Sequence, residues 1–380
     1  MGATPVIAKA VRTPQGKQDG AFAETRSEDL SIALVDHILA ETGLTSDHVE
    51  DLMWGIAQQR EAQDNNLARV IAILSDLGES VPGTTINRWC ASSMQAIMSA
   101  ADSIAAGHRD CLIAGGVENM SIVRMESAYD SRSFHPRLME AYNIAELQMG
   151  MTAEAVAERH DISREAQDEY GHRSHMRAAA ATEDGRFAEE IVPVETDDGT
   201  VAEDEGIRPG TTLEKMAQLP TVFKAEGTVT PGNASQISDG AAAVLVTSES
   251  FAEDHGLEIL AEIGAHNVAG VDPRVMGIGP VPATRGLLER TGRDIDAYDL
   301  VELNEAFASQ TLYCRDELGI DPEIFNVNGG AIAIGHPLGA SGARLPVTLT
   351  HELGRRGGGL GLATLCVGFG QGAALELRVR

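Results

Sequence analysis

Short apolar runs alternate with stretches of helical spacing at both ends of the chain, and the middle breaks that alternation. Val6-Ile7-Ala8 predicts a strand close to the first residue. Glu28-Asp29 predict the start of an amphipathic helix through Ala40, with Leu30, Ala33, Leu34, His37 and Ile38 on one face. Asp51–Gly55 reads as a short strand, Ala62–Leu77 as a second helix closed by Gly78, and Gly83–Cys90 as another strand. Small residues at helical spacing then run to Gly107, and Asp110–Gly116 is again a buried strand. Strands alternating with helices predict an α/β architecture.

The pattern occurs twice. Leu39-Ala40-Glu41-Thr42-Gly43, then Asp47 and the strand at Leu52, match Leu288-Glu289-Arg290-Thr291-Gly292, then Asp296 and the strand at Val301. The strand, Cys90 and the following helix are echoed by Phe325–Asn328, a loop through His336 and a helix from Ala340. The strand at Leu112 is echoed by Leu360–Leu365. This order predicts two similar α/β halves whose reactive turns meet. Between them, Thr152–His160 and Arg164–Thr182 have helical spacing and Asp197–Pro209 is rich in Gly and Asp, an inserted lid. Asp239–Val246 returns to core strand. The expected division is 1–117 plus 237–250 for the first half, 118–236 for the insertion and 251–380 for the second half.

Composition narrows the classes. With 380 residues and 43% hydrophobic content, the chain is long enough for two cores. There is no apolar run of membrane-spanning length, and the early strand leaves no room for a signal peptide, so no membrane span is expected and the expected location is the cytoplasm. Four cysteines without Cys-x-x-Cys spacing predict neither a disulfide framework nor a metal site, and fit a reducing compartment. The net charge is −28, and Lys9, Lys17, Lys215 and Lys224 are the only lysines. Nucleic-acid binding is excluded for want of a basic patch. An acidic, lysine-poor surface predicts a halophilic source, because concentrated salt screens its self-repulsion.

The candidate chemistry centres on Asn87-Arg88-Trp89-Cys90-Ala91-Ser92-Ser93-Met94-Gln95-Ala96. A strand, a tight turn and a helix would set Cys90 beside unpaired backbone N–H groups and the positive end of the helix dipole. Both favour a thiolate, so its pKa is expected to fall below the free value of about 8.5. A buried, inert cysteine is the competing reading of this stretch alone. Three further turns, two of them glycine-rich, carry a histidine, an amide and a second thiol: Asn304-Glu305-Ala306-Phe307, Gly329–Arg344 with His336, and Cys366-Val367-Gly368-Phe369-Gly370.

These blocks resemble the thiolase family, acyltransferases acting on acetyl-CoA and 3-ketoacyl-CoA, and the resemblance spans the whole chain. It implies the thiolase fold, two duplicated α/β halves in a five-layered α/β/α/β/α arrangement with an inserted loop domain. By match to the family pattern, Cys90 is the acylated nucleophile, His336 its base, and Cys366 the acid/base at the α-carbon. Asn304 and His336 would form one oxyanion hole through a water, and the N–H groups of Cys90 and Gly368 a second. Ser235 and Met149 resemble pantetheine-contacting positions, Phe223 a wall of the same tunnel and Arg208 a neighbour of the adenine. Gln148 and Pro231 depart from biosynthetic relatives. Phe134-His135-Pro136, Met149–Glu154 and Ile162–Asp168 look like bacterial fatty-acid-oxidation thiolases. His135, His160, His172 and His175 lack motif context and read as surface or satisfied histidines.

The implied reaction is thiolytic cleavage of 3-ketoacyl-CoA through a Cys90 acyl-enzyme, in fatty-acid β-oxidation. The alternative is condensation of two acetyl-CoA for isoprenoid or polyhydroxyalkanoate precursors. A condensing enzyme acting on carrier-protein substrates would pair its cysteine with two histidines, where this chain has Asn304 and Cys366. A non-catalytic CoA-binding subunit would be expected to lack a reactive group. Coenzyme A enters as substrate, with no tightly bound cofactor. The family further implies a homo-oligomer, dimer or tetramer, and a β-oxidation or small accessory subunit as partner.

Overall fold

The computed structural model describes residues 2–125 and 134–380. The first half contributes β1 (Pro5–Arg12), β2 (Gly16–Lys17), α1 (Ser27–Thr42), β3 (Asp51–Gly55), α2 (Leu67–Leu74), β4 (Gly83–Ile86), α3 (Ser92–Ala105) and β5 (Cys111–Asn119). Next come α4 (Pro136–Ala141), α5 (Met149–Arg159), α6 (Arg164–Glu183), β6 (Val194–Thr196), β7 (Gly199–Val201) and α7 (Leu213–Ala217). The chain returns through β8 (Ser238–Ser248) and α8 (Glu249–Asp254). It then forms β9 (Ala261–Gly270), α9 (Pro280–Thr291), β10 (Leu300–Leu303), α10 (Ala308–Leu318), α11 (Ala331–Ile334), α12 (Leu338–Arg355), β11 (Gly359–Val367) and β12 (Gln371–Val379).

Strand order makes the duplication explicit. The main sheet runs β10-β11-β12-β9-β1-β8-β5-β3-β4, with β2 beside β8. Read outward from the middle, β1-β8-β5-β3-β4 has the same pattern as β9-β12-β11-β10, and Phe325 bridges Val301 where a last strand would lie. The two sets join where Val6 and Ile7 of β1 pair antiparallel with Glu262 and Ala261 of β9.

Side-chain alternation builds the layers. In β5, Leu112 and Ala114 face the central core, while Cys111, Ile113 and Val117 face α1 and α2. In β11, Ala363, Leu365 and Val367 face the centre, and Leu360 and Leu362 face α9 and α10. Both strands are buried on both faces, hence their near-continuous apolar runs. Helices α3 and α12 fill the space between the two sets, through Ile97, Ile104, Leu345 and Leu349 among others. Each such side chain contributes about 1.5–3 kcal/mol when fully buried. The approach of α12 to the first half demands glycine: a Cβ on Gly339 would lie 2.3 Å from the carbonyl oxygen of Val117, and one on Gly342 2.6 Å from the Met94 nitrogen.

Several local expectations are corrected. The second helix is not continuous from Ala62: Asn65 and Asn66 take φ of 60° and 52°, so α2 starts at Leu67 and ends at Leu74. Asn66 binds β4 instead, donating to Gly83 O (2.9 Å) and accepting from Thr85 N (2.9 Å). The strand predicted to reach Cys90 stops at Ile86, because Asn87 Oδ1 accepts from Trp89 N (2.9 Å) and Trp89 turns left-handed at φ 45°. The buried face of α1 carries Ser31 and Val35 rather than Ala33 and His37.

Candidate active site

The reactive turns follow the ends of parallel strands. β3 pairs parallel with β4 and β5, and β10 with β11. Cys90 follows β4, Asn304 follows β10, and Cys366 is the penultimate residue of β11, leading into Gly368. Ligands of α/β sheets gather at such carboxyl ends. Cys90, Asn304, His336 and Cys366 are all buried.

Cys90 precedes α3, whose first turn carries no side-chain cap. Backbone N–H groups of Gly368 and of Cys90 itself reach its sulfur, yet burial, aided by the Glu118 charge, pushes the thiol up to about 12. The expected depression is thereby corrected: removing a thiolate from water outweighs two amide donors. Glu118 accepts from Ala57 N (2.9 Å), Gln58 N (3.1 Å), Gln63 Nε2 (2.6 Å) and Gly339 N (2.8 Å), tying the loop after β3 in the first half to the start of α12 in the second.

His336 lies between Gly335, at φ 122°, and α12, with its backbone N–H shared by Gln236 O (3.3 Å) and Ser238 Oγ (3.2 Å). Its Nδ1 is 2.6 Å from Ser341 Oγ, and Ser341 Oγ donates to Pro337 O at 2.8 Å. A hydroxyl has one proton, so Ser341 accepts from Nδ1–H, leaving Nε2 unprotonated. Burial, then the charge of Arg344, push the imidazole down to about 3. Asn304 Nδ2 lies 3.3 Å from Nε2 and 3.4 Å from Nδ1, against the edge of the imidazole. Cys366 is held well above the ordinary thiol range, by burial first and then by the nearby Cys90 and Cys314 thiols. The resting centre is two neutral thiols beside a neutral imidazole.

Glu305, next to Asn304, accepts from Tyr170 (2.8 Å), Ser174 (2.6 Å), Asn326 (3.0 Å) and Ile332 N (3.2 Å), which anchors α6 against the second half. A cavity of about 440 Å³ opens onto His336 and is lined by Met149, Phe223, Ser235, Phe307, Leu338 and others, within the usual range for small-molecule sites. Ser235 is set by its N–H to Ala306 O (2.9 Å). Gly150 lets Phe223 lie on α5, since a Cβ there would meet the ring at 2.2 Å. Phe223 is 41% exposed and packs edge-to-face on Phe307 at 6.2 Å, so it is no core residue.

Ser235, Met149 and Phe223 thus converge on the cavity with His336. Arg208 does not line it; that side chain is exposed and its backbone N–H caps His175 Nδ1 (3.2 Å). His175 is therefore a satisfied, buried histidine, pushed down to about 4 by burial and then by Arg208 and His172. His160 stacks on Tyr313. The sequence reading missed Ser341, Glu118 and Gln310, although a serine one helical turn after Pro337 is a local signal for back-bonding.

A fold of two matching halves and a centre of two thiols, an imidazole and an amide define an acyl-transferring enzyme class, and comparison with known proteins specifies it. Residues 5–250 match the description "Thiolase, N-terminal domain" and residues 257–379 "Thiolase, C-terminal domain". The chain belongs to the thiolase family, whose members are acyltransferases. A 3-ketoacyl-CoA thiolase of Vibrio parahaemolyticus is 47% identical over 380 positions, covering 97% of this chain and 96% of that protein. One from Aeromonas salmonicida is also 47% identical, covering 97% of each. The crystal structure of human mitochondrial 3-ketoacyl-CoA thiolase in complex with CoA superposes with a TM-score of 0.92 at 38% identity, covering 100% of this chain and 98% of that one. Bacillus anthracis acetyl-CoA acetyltransferase superposes with a TM-score of 0.91 at 40% identity, covering 100% and 99%.

Proposed function

We propose that this protein is a 3-ketoacyl-CoA thiolase acting through a Cys90 acyl-enzyme in fatty-acid degradation. The observations that carry this reading are the contact of Asn304 with His336 at the apolar cavity and the N–H of Gly368 on the sulfur of Cys90, which lies near Cys366.

The Cys90 thiol passes its proton to His336 Nε2 as the sulfur attacks the C3 carbonyl of the substrate. N–H groups of Cys90 and Gly368, or the Asn304–His336 pair through a water, hold the developing oxyanion; preorganised donors of this kind are worth about 3–4 kcal/mol each. Asn304 Oδ1 is buried without a protein partner, which leaves this side chain capacity to hold that water. The C2–C3 bond then breaks, its electron pair forms the enolate of acetyl-CoA, and Cys366 delivers a proton to C2. His336 passes its proton to the Cys366 thiolate; a second CoA thiol then gives its proton to His336 and takes the acyl group from Cys90, whose departing sulfur recovers that proton from His336. Burial pushes the Cys90 thiol up, which favours proton transfer coupled to attack over a stored ion pair. Ser235, Met149 and Phe223 guide pantetheine; Arg208, exposed outside the cavity, is free to meet the adenine end.

Ser341 fixes the reactive tautomer. Ser341→Ala is expected to lower kcat about 10-fold, the order of one hydrogen bond to a charged group, and to move the pH midpoint of Cys90 alkylation upward; an unmoved midpoint would count against the assignment.

The remaining expectations stand with this reading: residues 118–236 form an inserted loop domain, the enzyme is a cytoplasmic homo-oligomer, dimer or tetramer, with scope for an accessory β-oxidation subunit, and its acidic surface is adapted to concentrated salt. Among the described residues, no helix is long and apolar enough to cross a membrane.

Thiolysis of 3-ketoacyl-CoA from four to about sixteen carbons, in molar KCl with Cys90→Ala as blank, tests the proposal. Activity at eight carbons and beyond is expected. Activity confined to acetoacetyl-CoA would instead favour acetyl-CoA condensation, the reaction implied by the Bacillus relative's name. Absence of both from the folded protein would favour a non-catalytic CoA-binding subunit.

A further inference from the structure

Gln310, on the first turn of α10, is fully buried, and its side-chain amide sits between the backbone of Asn304 and the sulfur of Cys366. Hydrogen-bond complementarity sets its orientation. The amide oxygen accepts from Thr311 N (2.8 Å) and faces the Thr311 hydroxyl at 3.0 Å, while the amide nitrogen donates to the Asn304 carbonyl oxygen at 3.2 Å. The reverse orientation would let the Cys366 thiol donate to the amide oxygen, but would set that oxygen against the Asn304 carbonyl and the NH₂ group against Thr311 N–H. Such mismatches are costly in a buried site. In the complementary orientation the NH₂ group lies 3.3 Å from Cys366 Sγ. An amide NH₂ carries two protons; one serves Asn304 and the other faces the sulfur.

We infer that Gln310 is a positioning residue for the C–C bond step: one amide fixes the Asn304 turn and donates to the Cys366 thiolate left when C2 of the acetyl unit takes its proton. This rests on the reading of Cys366 as the acid/base. When Cys366 delivers its proton, the S–H bond breaks, a C–H bond forms at C2, and the negative charge moves to sulfur. Gln310 gains and loses no proton; its N–H···S contact strengthens as the charge arrives. The sulfur needs such a donor because burial and the neighbouring thiols Cys90 and Cys314 oppose its charge. Its own backbone N–H is the other donor to it.

The test compares Gln310→Met, which keeps the length of the side chain without a donor, and Gln310→Glu in the full-length enzyme. Three quantities are read: exchange of the acetyl-CoA methyl protons with D₂O, acyl exchange between acetyl-CoA and free CoA, and the pH midpoint of Cys366 alkylation in a Cys90→Ala background. Gln310→Met is expected to slow proton exchange about 10-fold or more, leave acyl exchange within about twofold, and raise the alkylation midpoint by about one pH unit. Gln310→Glu is expected to be slower still at pH 7 and to recover partly as its carboxyl protonates and regains a donor. Equal loss of both exchange reactions with an unmoved midpoint, or no change in any of them, overturns the inference. Cys366→Ala separates the two levels. If it retains proton exchange, the assignment of Cys366 falls and that of Gln310 with it; if it loses exchange while Gln310→Met leaves exchange and midpoint unmoved, only the role of Gln310 falls.

Discussion

Cys90→Ala is expected to lower thiolysis by about 10⁴-fold or more, the scale on which removing a nucleophile disables a unit of cooperating residues. Cys366→Ala is expected to lose a comparable factor in C–C cleavage, yet to keep acylation of Cys90 by acyl-CoA. The two thiols differ in placement. Cys90 stands at the start of α3 with N–H groups of its own residue and Gly368 on its sulfur, whereas Cys366 lies at the end of β11 against Gln310. Acyl transfer needs the first alone; making or breaking the bond at C2 needs both. Intact-protein mass spectrometry after incubation with acetyl-CoA reads acylation, and release of acetyl-CoA from acetoacetyl-CoA reads cleavage. Equal loss of both steps in Cys366→Ala would refute the division of labour. Full acylation of Cys90→Ala would move the nucleophile elsewhere.

The second large effect is on stability in acid. Burial holds His336 at about 3, against 6.5 for a free histidine. Between these values the unfolded chain binds a proton that the folded one refuses, so this residue removes stability as pH falls from 6.5 toward 3. The slope is about 1.4 kcal/mol per pH unit. His336→Gln cannot titrate, so wild type is expected to lose about 2–3 kcal/mol more than the variant between pH 6.5 and 4.5. Other groups that titrate in this range, His175 and Glu302 among them, are common to both proteins and cancel in the difference. Urea midpoints at the two pH values measure it; parallel losses would mean that His336 titrates normally. The same shift predicts that kcat/KM shows no acid limb near 6.5 from this imidazole.

Local pattern made the elements legible where a segment's own residues decide its conformation. Ser163, accepting from Ala166 N at 3.1 Å, starts α6 at Arg164 as its spacing predicts, and Gly43 and Gly292, at φ 68° and 67°, close α1 and α9 at the same point of the repeat, α1 ending at Thr42, two residues past its predicted end at Ala40. Spacing misled at two asparagines: Asn66 leaves its own helix to bind β4, and Asn87 turns the chain before Cys90 by accepting from Trp89 N.

By itself, then, the sequence determined the alternation of strands and helices, its doubling, and the four short blocks that carry the thiols, the imidazole and the amide, because each is written in residues close along the chain. Tertiary structure alone decided the chemical state of those groups. Cys90 sits at a helix start, which favours a thiolate, but the depth of the site between the two sets of strands reverses that preference. His336 has a defined tautomer because Ser341 spends its proton on Pro337. Arg208 lies outside the cavity, and Gln310 reaches a sulfur far along the chain. Burial and long-range contact set protonation and position, and neither has a local period to be read.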